Sequence, residues 1–412
     1  KTTATFPGNP VQYVADSNTP TGVIGPVVNP ERDLVKQIYP IVNAVFEQMT
    51  GRTDLQAVDT ASLVAMGCEL GNLQKHDVWF NTLARRIGHT IDGYRTYRNR
   101  YSRLYRTQVE WGAAVQKLTA EMPDAVADPT WDIGTLDGKS VDQWIINNPK
   151  VHQRIFDKET PYSFFITIST KLLKDAFLSE EAMSSFINQI FGKVRNKIEF
   201  VLEELARIAV NNFVLNLNTN QEFHLVTIYN SLTGNTVTTN SSKYDADFLR
   251  WAIGFMQNVA NKMETMSVLY NSDRYDRFTT AENREFYMLS DFMTQLNTVV
   301  SYSAYNPGYV TAKPDILVPY WQGSGTKVNQ DQWDDITTIK GTTDTTSGRV
   351  QVTKNHLIGI MFDRDAIGTF RDEEDVLTTP VNARARYYNT FWHERQMWFN
   401  DMSENGVAFY LD

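Results

Sequence analysis

Ser179-Glu180-Glu181-Ala182-Met183-Ser184-Ser185-Phe186-Ile187 opens the stretch on which the reading of this chain turns. Ser179 is placed to cap a helix. Glu180 and Glu181 fall in its first turn, where the helix dipole favours acids. From there Met183, Phe186, Ile187, Ile190, Val194, Ile198, Leu202, Leu205, Ile208 and Ala209 keep one face apolar. The period is nearer 3.6 than a strict heptad, which argues against a coiled coil. No proline interrupts the chain between Pro161 and Pro307. The pattern predicts one helix over 179–213, on the order of 50 Å long at 1.5 Å per residue. That length is a spine rather than an ordinary packed rod.

Upstream, residues 1 to about 27 are rich in Thr, Pro, Gly and Asn, and Pro7, Pro10, Pro20 and Pro26 keep them extended. They form an arm, not a domain. Lys1-Thr2-Thr3-Ala4-Thr5 has no apolar signal-peptide core, and the missing initiator Met reads as processing or trimming. Asn29 and Pro30 start a helix carrying Leu34, Ile38, Val42, Val45 and Met49; Gly51 stops it, and Pro40 should kink or break it near Tyr39. A second helix is expected from about Asp54 to Leu70.

Residues 85–122 read as two long, partly polar strands joined by a basic tip. Arg95, Arg98, Arg100, Arg103 and Arg106 interleave there with Tyr94, Tyr97, Tyr101 and Tyr105. A lone two-stranded hairpin is marginal in water, so this one should lie on a partner. Arg and Tyr at such a tip fit a protein–protein contact, with Arg forking onto carboxylates. The alternative is a grip on single-stranded nucleic acid by stacking and phosphate pairing. Residues 124–160 read as irregular.

Downstream, residues 223–240 alternate with many Thr and Val around Thr233-Gly234-Asn235 and read as a hairpin. Phe248, Ala252, Phe255, Val259 and Met263 mark a helix. Tyr287-Met288-Leu289 reads as a buried strand, followed by a helix over about 291–299 and a strand at Ile316-Leu317-Val318. Residues 323–348 read as a low-complexity surface loop. Leu357 to Phe362 is a strand. Arg384 to Phe399 and Val407 to Leu411 are closing strands joined by Ser403-Glu404-Asn405-Gly406.

Composition narrows the function. The 412 residues imply two to four units at roughly 100–200 residues each. A hydrophobic share of 42% supports a sizeable core, and the 12% aromatic share exceeds what a modest enzyme core needs. The net charge of −9 argues against a DNA-coating protein without excluding one local basic surface. One cysteine excludes a disulfide framework within the chain and multi-cysteine metal sites. No apolar run approaches the ~20 residues of a membrane span.

Catalytic motifs find no support. Cys68, in Val64-Ala65-Met66-Gly67-Cys68, reads as a small buried core residue. Gly323-Ser324-Gly325 falls short of a nucleophile elbow. His76, His89, His152, His224, His356 and His393 are scattered. Asp372-Glu373-Glu374-Asp375, near Asp363 and Asp365, lacks the rhythm of a calcium loop and reads as a solvated loop and helix start. No phosphate-binding glycine motif occurs. The chain is expected to have no enzymatic activity, cofactor or metal.

Three segments carry a likeness to a known family. Asn148-Pro149-Lys150-Val151-His152, Tyr162-Ser163-Phe164-Phe165-Ile166-Thr167-Ile168 and Lys174-Asp175-Ala176-Phe177 lead into the spine. Tyr287-Met288-Leu289-Ser290-Asp291 begins a strand–helix–strand ending at Ile316-Leu317-Val318. Phe362-Asp363-Arg364-Asp365-Ala366 and Arg386-Tyr387-Tyr388-Asn389-Thr390-Phe391-Trp392-His393 precede the end at Gly406-Val407-Ala408-Phe409-Tyr410. In order and character the chain resembles the major capsid proteins of tailed phages with the Hong Kong 97 fold, and among them the head proteins of phi-29-like podoviruses.

The resemblance implies an α+β fold in five parts. Residues 1–84 would be the N-terminal arm and helices, and 85–122 the extended E-loop hairpin. Residues 123–240 would be the peripheral domain with its spine helix, 241–383 the axial domain, and 384–412 strands returning to the peripheral domain. It implies pentamers and hexamers forming an icosahedral or prolate head shell around a double-stranded DNA phage genome. A scaffolding protein and a portal protein would be partners, DNA would be held without sequence specificity, and no membrane would be involved. The chain would be assembled in the host cytoplasm and end in the virion. An encapsulin-like compartment is the alternative on the same fold, and a single-stranded nucleic-acid-binding module a further one.

Overall fold

The structure is a computed structural model. It describes residues 13–15, 24–26, 30–73, 78–79, 82–83, 97–106, 115–303, 313–323, 330–345 and 348–412, apart from positions 124, 126, 132, 133, 135, 136, 141–143, 145, 147, 149 and 158. Most of the N-terminal arm, and residues 85–96 and 107–114 of the expected hairpin, lie outside these residues.

Strands β1 (Tyr13–Ala15) and β2 (Ile24–Pro26) pair antiparallel. Helix α1 (Pro30–Thr50) runs through Pro40 instead of breaking there. Ile38, Ile41, Val42, Val45 and Phe46 are buried on both sides of it. Each such burial is worth about 1.5–3 kcal/mol, which together outweighs a proline cost of ~3 kcal/mol. Gly51 ends the helix with φ +69°, a left-handed conformation that glycine takes without strain. Helix α2 (Thr60–Leu73) starts later than its pattern predicts. Asn43 holds the preceding loop by accepting from Ala57 N at 2.7 Å and donating to Ala57 O at 2.9 Å. Asp59 then accepts from Ser62 N at 2.8 Å. Cys68 is exposed, not buried as expected, because α2 turns Leu63, Met66 and Leu70 inward.

Strand β3 (Tyr105–Arg106) follows a single 3₁₀ turn, and β4 (Val115–Ala120) pairs antiparallel with β5 (Val151–Phe156). Strand β6 (Glu159–Ser169) runs into α3 (Thr170–Ala176), capped by Ser169. The spine is a helical run over 180–215: α4 (Glu180–Ile187), a π turn over Asn188–Gly192, and α5 (Lys193–Leu215). Ser179 Oγ accepts from Ala182 N at 3.1 Å, the cap its sequence predicts. The π turn inserts a residue and rotates the buried face. Met183, Phe186 and Ile187 are buried before it, and Ile198, Leu202, Ala206, Ala209 and Phe213 after it. Ile208, counted on the apolar face by its spacing, is therefore 52% exposed.

The expected hairpin over 223–240 is instead β7 (Glu222–His224), α6 (Leu225–Thr233) and the short α7 (Thr239–Ser242). Leu225, Val226 and Tyr229 are buried at helical spacing, and Gly234 caps α6 with φ +74°. The Thr-rich alternation lost to that apolar face. Helix α8 (Ala246–Met263) starts at Asp245, whose carboxylate accepts from Phe248 N. Strand β8 (Arg284–Leu289), helix α9 (Ser290–Ser303) and β9 (Ile316–Val318) follow as expected. The surface-loop reading of 323–348 is overturned by α10 (Gln330–Thr337) and the hairpin β10 (Ile339–Thr345)–β11 (Gly348–Lys354). Trp333, Ile336 and Ile339 anchor it in the core, a few apolar residues hidden among polar ones. The chain continues through β12 (Leu357–Asp363), β13 (Ile367–Thr378), β14 (Tyr387–Asn400) and β15 (Gly406–Tyr410). The acidic run 372–375 lies within β13, not in a loop or helix start.

The chain divides into two compact units. One comprises 1–98, 161–201 and 373–394, the other 99–160, 202–372 and 395–412. In the first, β14 lies between β13 and β6. Phe191 packs edge-on against Trp392 with ring centres 6.0 Å apart. In the second, a five-stranded sheet has the order β7-β15-β12-β8-β9. Strand β12 is antiparallel to β15 and β8, while β7 and β9 are parallel additions. Every residue of β12 and β15 is buried. The last two strands, grouped together by sequence, thus enter different sheets. Strand β14 alternates and covers one face; β15 is apolar on both faces and fits only a sheet centre.

Candidate subunit-contact surfaces

The Arg/Tyr stretch is not a free tip over its described part. Tyr101 and Leu104 belong to the core of the second unit, and the Tyr101 ring packs edge-on against Tyr287 at 5.7 Å. Burial pushes the Tyr101 and Tyr287 hydroxyls well up from their ordinary pKa. Arg103 pairs with Asp315 and lies 3.4 Å from Glu285. Tyr105 donates to Leu202 O at 2.9 Å, and β3 runs parallel to β13 at Thr369 and Phe370. In the first unit, Tyr97 N donates to Asn196 at 2.9 Å, and its ring rests 6.3 Å from Phe200. Arg98 and Arg100 are exposed. Arg106 is the second residue of β3. Tyr94 and Arg95 lie outside the described residues. Tyr101 is core packing and Tyr105 packs partly buried against that core, while Tyr97, Arg98 and Arg100 are exposed.

The described two-stranded hairpin sits further along the chain. Its strands are β4 and β5, with Val115 opposite Phe156, Lys117 opposite Arg154, Leu118 opposite Gln153, Thr119 opposite His152 and Ala120 opposite Val151. Alternation divides the side chains between two faces. One face meets the rest of the second unit. Lys117 Nζ is 2.7 Å from both Asp401 Oδ2 and Glu404 Oε1. Arg154 is 2.9 Å from Asp401 Oδ1 and pairs with Asp273. Arg277 donates to Thr119 Oγ1 at 2.8 Å and lies 3.4 Å from Glu404. His152 packs 5.1 Å from the Tyr275 ring, and Phe156 5.1 Å from Phe399. Burial alone would raise the Asp401 pKa. The hydrogen bond and charge of Lys117, with two bonds from Ser403, override burial and hold it below the ordinary carboxylate range.

The opposite face carries Leu118, Val151 and Ile155, all exposed. In the segment between the strands Trp131, Trp144 and Ile146 are exposed as well, Trp131 to 88%. Apolar groups massed on one side of a hairpin mark an interaction surface. Sequence reading missed it because residues 124–160, crossed by Pro129 and Pro149, looked irregular. The signal was the alternation Lys117-Leu118-Thr119 and Val151-His152-Gln153-Arg154-Ile155.

A second exposed apolar surface lies on the sheet of the first unit. Phe165 of β6 is 70% exposed, and its ring centre lies 6.2 Å from Phe391 of β14. Phe391 stacks on His393 at 6.0 Å. Thr379 N donates to Asn389 O at 2.9 Å, which puts exposed Leu377 on the face of Phe391.

Among the described residues no group of His, Cys, Asp and Glu could hold a metal ion, and no helix is long and apolar enough to cross a membrane.

No curated protein matches the chain by sequence. Among solved structures, the capsid of Staphylococcus phage Andhra is similar at 10% identity, covering 76% of this chain and 84% of that one, with a TM-score of 0.49. A chain from the structure of head fiber and inner core protein gp22 of native bacteriophage P68 is similar at 9% identity, with 77% and 86% covered and a TM-score of 0.49. The asymmetric unit of the bacteriophage PhiM1 mature capsid gives 10% identity, 77% and 87% covered, and a TM-score of 0.42. The family model described as Phi29-like phage major capsid protein matches residues 42–410, nearly the whole chain. By that match this α+β chain belongs to the Phi29-like phage major capsid proteins, a structural family, and its function is to form the shell of a virion.

Proposed function

We propose that identical copies of this chain assemble through pentamers and hexamers into an icosahedral or prolate Hong Kong 97-type head shell around double-stranded DNA. The observation that carries this reading is the two-faced hairpin of a chain in that family: one face is bonded to its own unit, the other apolar and exposed. The hairpin over 115–156 takes the E-loop role, in place of 85–122. Its Leu118, Val151 and Ile155 lie on the Phe165, Phe391 and Leu377 surface of the next copy. Arg98 and Arg100 pair with carboxylates of a neighbour, and Tyr94 and Arg95 remain candidates for the same contact. The 180–215 spine and β6, β13 and β14 form the peripheral domain, and the five-stranded sheet the axial domain. The net charge of −9 suits a wall that encloses DNA without binding it tightly. A scaffolding protein sets the curvature and a portal protein occupies one vertex, with assembly in the host cytoplasm.

Co-expression of the chain with its scaffold, followed by electron microscopy and analysis of particle contents, tests this. Closed shells that take up DNA support it. DNA-free shells loaded with an enzyme would favour a cargo compartment. A stable monomer at high concentration, unaffected by scaffold or salt, would overturn it. The single-strand-binding alternative is not favoured, since Tyr101, the middle of its stacking platform, is buried.

A further inference from the structure

Strands β4 and β5 form a two-stranded sheet of their own, and neither joins the backbone ladder of another described strand. Such a hairpin is marginal alone, so side chains must set its position. On the face that meets the rest of the second unit, the hairpin's cations Lys117 and Arg154 meet the anions Asp401, Glu404 and Asp273. Lys117 and Arg154, opposite each other in the register, converge on the two carboxylate oxygens of Asp401. Asp401 is fully buried, and Ser403 N and Oγ donate to its Oδ1 at 3.0 and 2.7 Å. Glu404 and Asp273 take the remaining charge, and Lys117 also donates to Asp365 O at 3.2 Å. Arg277 closes the group by bridging Glu404 and Thr119. At the hairpin's far end Glu121 pairs with His152 at 2.7 Å and Lys150 at 3.2 Å, within the hairpin itself.

We propose that Lys117, Arg154 and Asp401 form an ionic latch that fixes the angle at which the hairpin leaves its own chain, and that opening this latch frees the hairpin while the core sheet stays folded. The latch also decides which face is presented. With Lys117 and Arg154 turned inward, the period-two alternation turns Leu118, Val151 and Ile155 outward. A carboxylate shared by two cations and the two Ser403 donors couples the anchor points, so losing it weakens both together.

The test is hydrogen exchange on the unassembled full chain. In the double variant Lys117→Met/Arg154→Met, amides of 115–120 and 151–156 should exchange at least tenfold faster, with β8, β12 and β15 at wild-type rates. The conservative pair Lys117→Arg/Arg154→Lys should keep the hairpin protected. If the double Met variant does not fold, Asp401→Asn, which keeps the side chain's shape, is read in the same way. Unchanged hairpin protection would overturn the latch. So would equal acceleration of hairpin and core sheet, because the ions would then be part of the global fold. The readout needs no assembled particle, so it stands or falls apart from the shell proposal.

Discussion

Arg154 Nη1 lies 2.9 Å from Asp401 Oδ1, joining residues 247 positions apart. The pair ties a hairpin strand to the loop between β14 and β15, the segment that feeds a buried inner strand of the second unit's sheet.

Asp401→Asn removes the charge that Lys117 and Arg154 share and leaves both cations facing a neutral group. Glu404 and Asp273 compensate in part, and both cations keep some solvent contact. The expected loss is about 3 kcal/mol, the low end for breaking a buried pair. Urea denaturation of the unassembled chain measures it.

Asp401 and Glu285 should respond to pH in opposite senses. The folded-state pKa of Asp401 lies below its ordinary value of 3.8, so its stabilisation is present above that value and lost as pH falls through the folded one. Burial lifts Glu285 above its ordinary 4.5, with Arg103 opposing, so the folded state holds that proton more tightly. Its contribution therefore declines as pH rises from 4.5 through the folded value. Denaturation midpoints against pH should show a shallower acid limb in Asp401→Asn and a shallower decline above pH 4.5 in Glu285→Gln.

Tyr101→Phe should leave stability within about 0.5 kcal/mol of the wild type or raise it, because the buried hydroxyl has no hydrogen-bond partner among the described residues. Tyr101→Ala should cost about 3–5 kcal/mol through the cavity beside Tyr287. Equal, small effects from both would return Tyr101 to a surface role.

Two glycines should part company. A Cβ at Gly406 would sit 2.5 Å from Cε1 and Cζ of Phe213, and that ring already packs 6.0 Å from Phe362. Gly406→Ala should cost about 1–3 kcal/mol by overpacking. A Cβ at Gly254, inside α8, meets open space, and Gly254→Ala should stabilise by about 0.5–1 kcal/mol. Thermal denaturation separates the two.

What the sequence carried was decided by burial. Spine, β8, β9, β12 and β15 have dense apolar patterns, and the Ser179 cap is a local signal that one side chain suffices to make. The errors came where local and tertiary signals disagree. Tyr101, Leu104 and Tyr105 look like a basic aromatic tip, yet three apolar bodies among the arginines suffice to seat the segment in the core. Trp333, Ile336 and Ile339 are buried apolar anchors in a stretch dominated by Thr, Asp and Gly, so composition hid a helix and a hairpin. Lys117 and Arg154 owe their role to Asp401 and Asp273, far away in sequence, and no local pattern reports such a partner.

The central claim is that the outward face of the 115–156 hairpin joins one copy to the next. A reconstruction of the assembled particle by electron cryo-microscopy tests it most directly. The account predicts Leu118, Val151 and Ile155 of one copy lying against Phe165, Phe391 and Leu377 of its neighbour. A particle in which that hairpin face is solvent-exposed and neighbours meet elsewhere would contradict it.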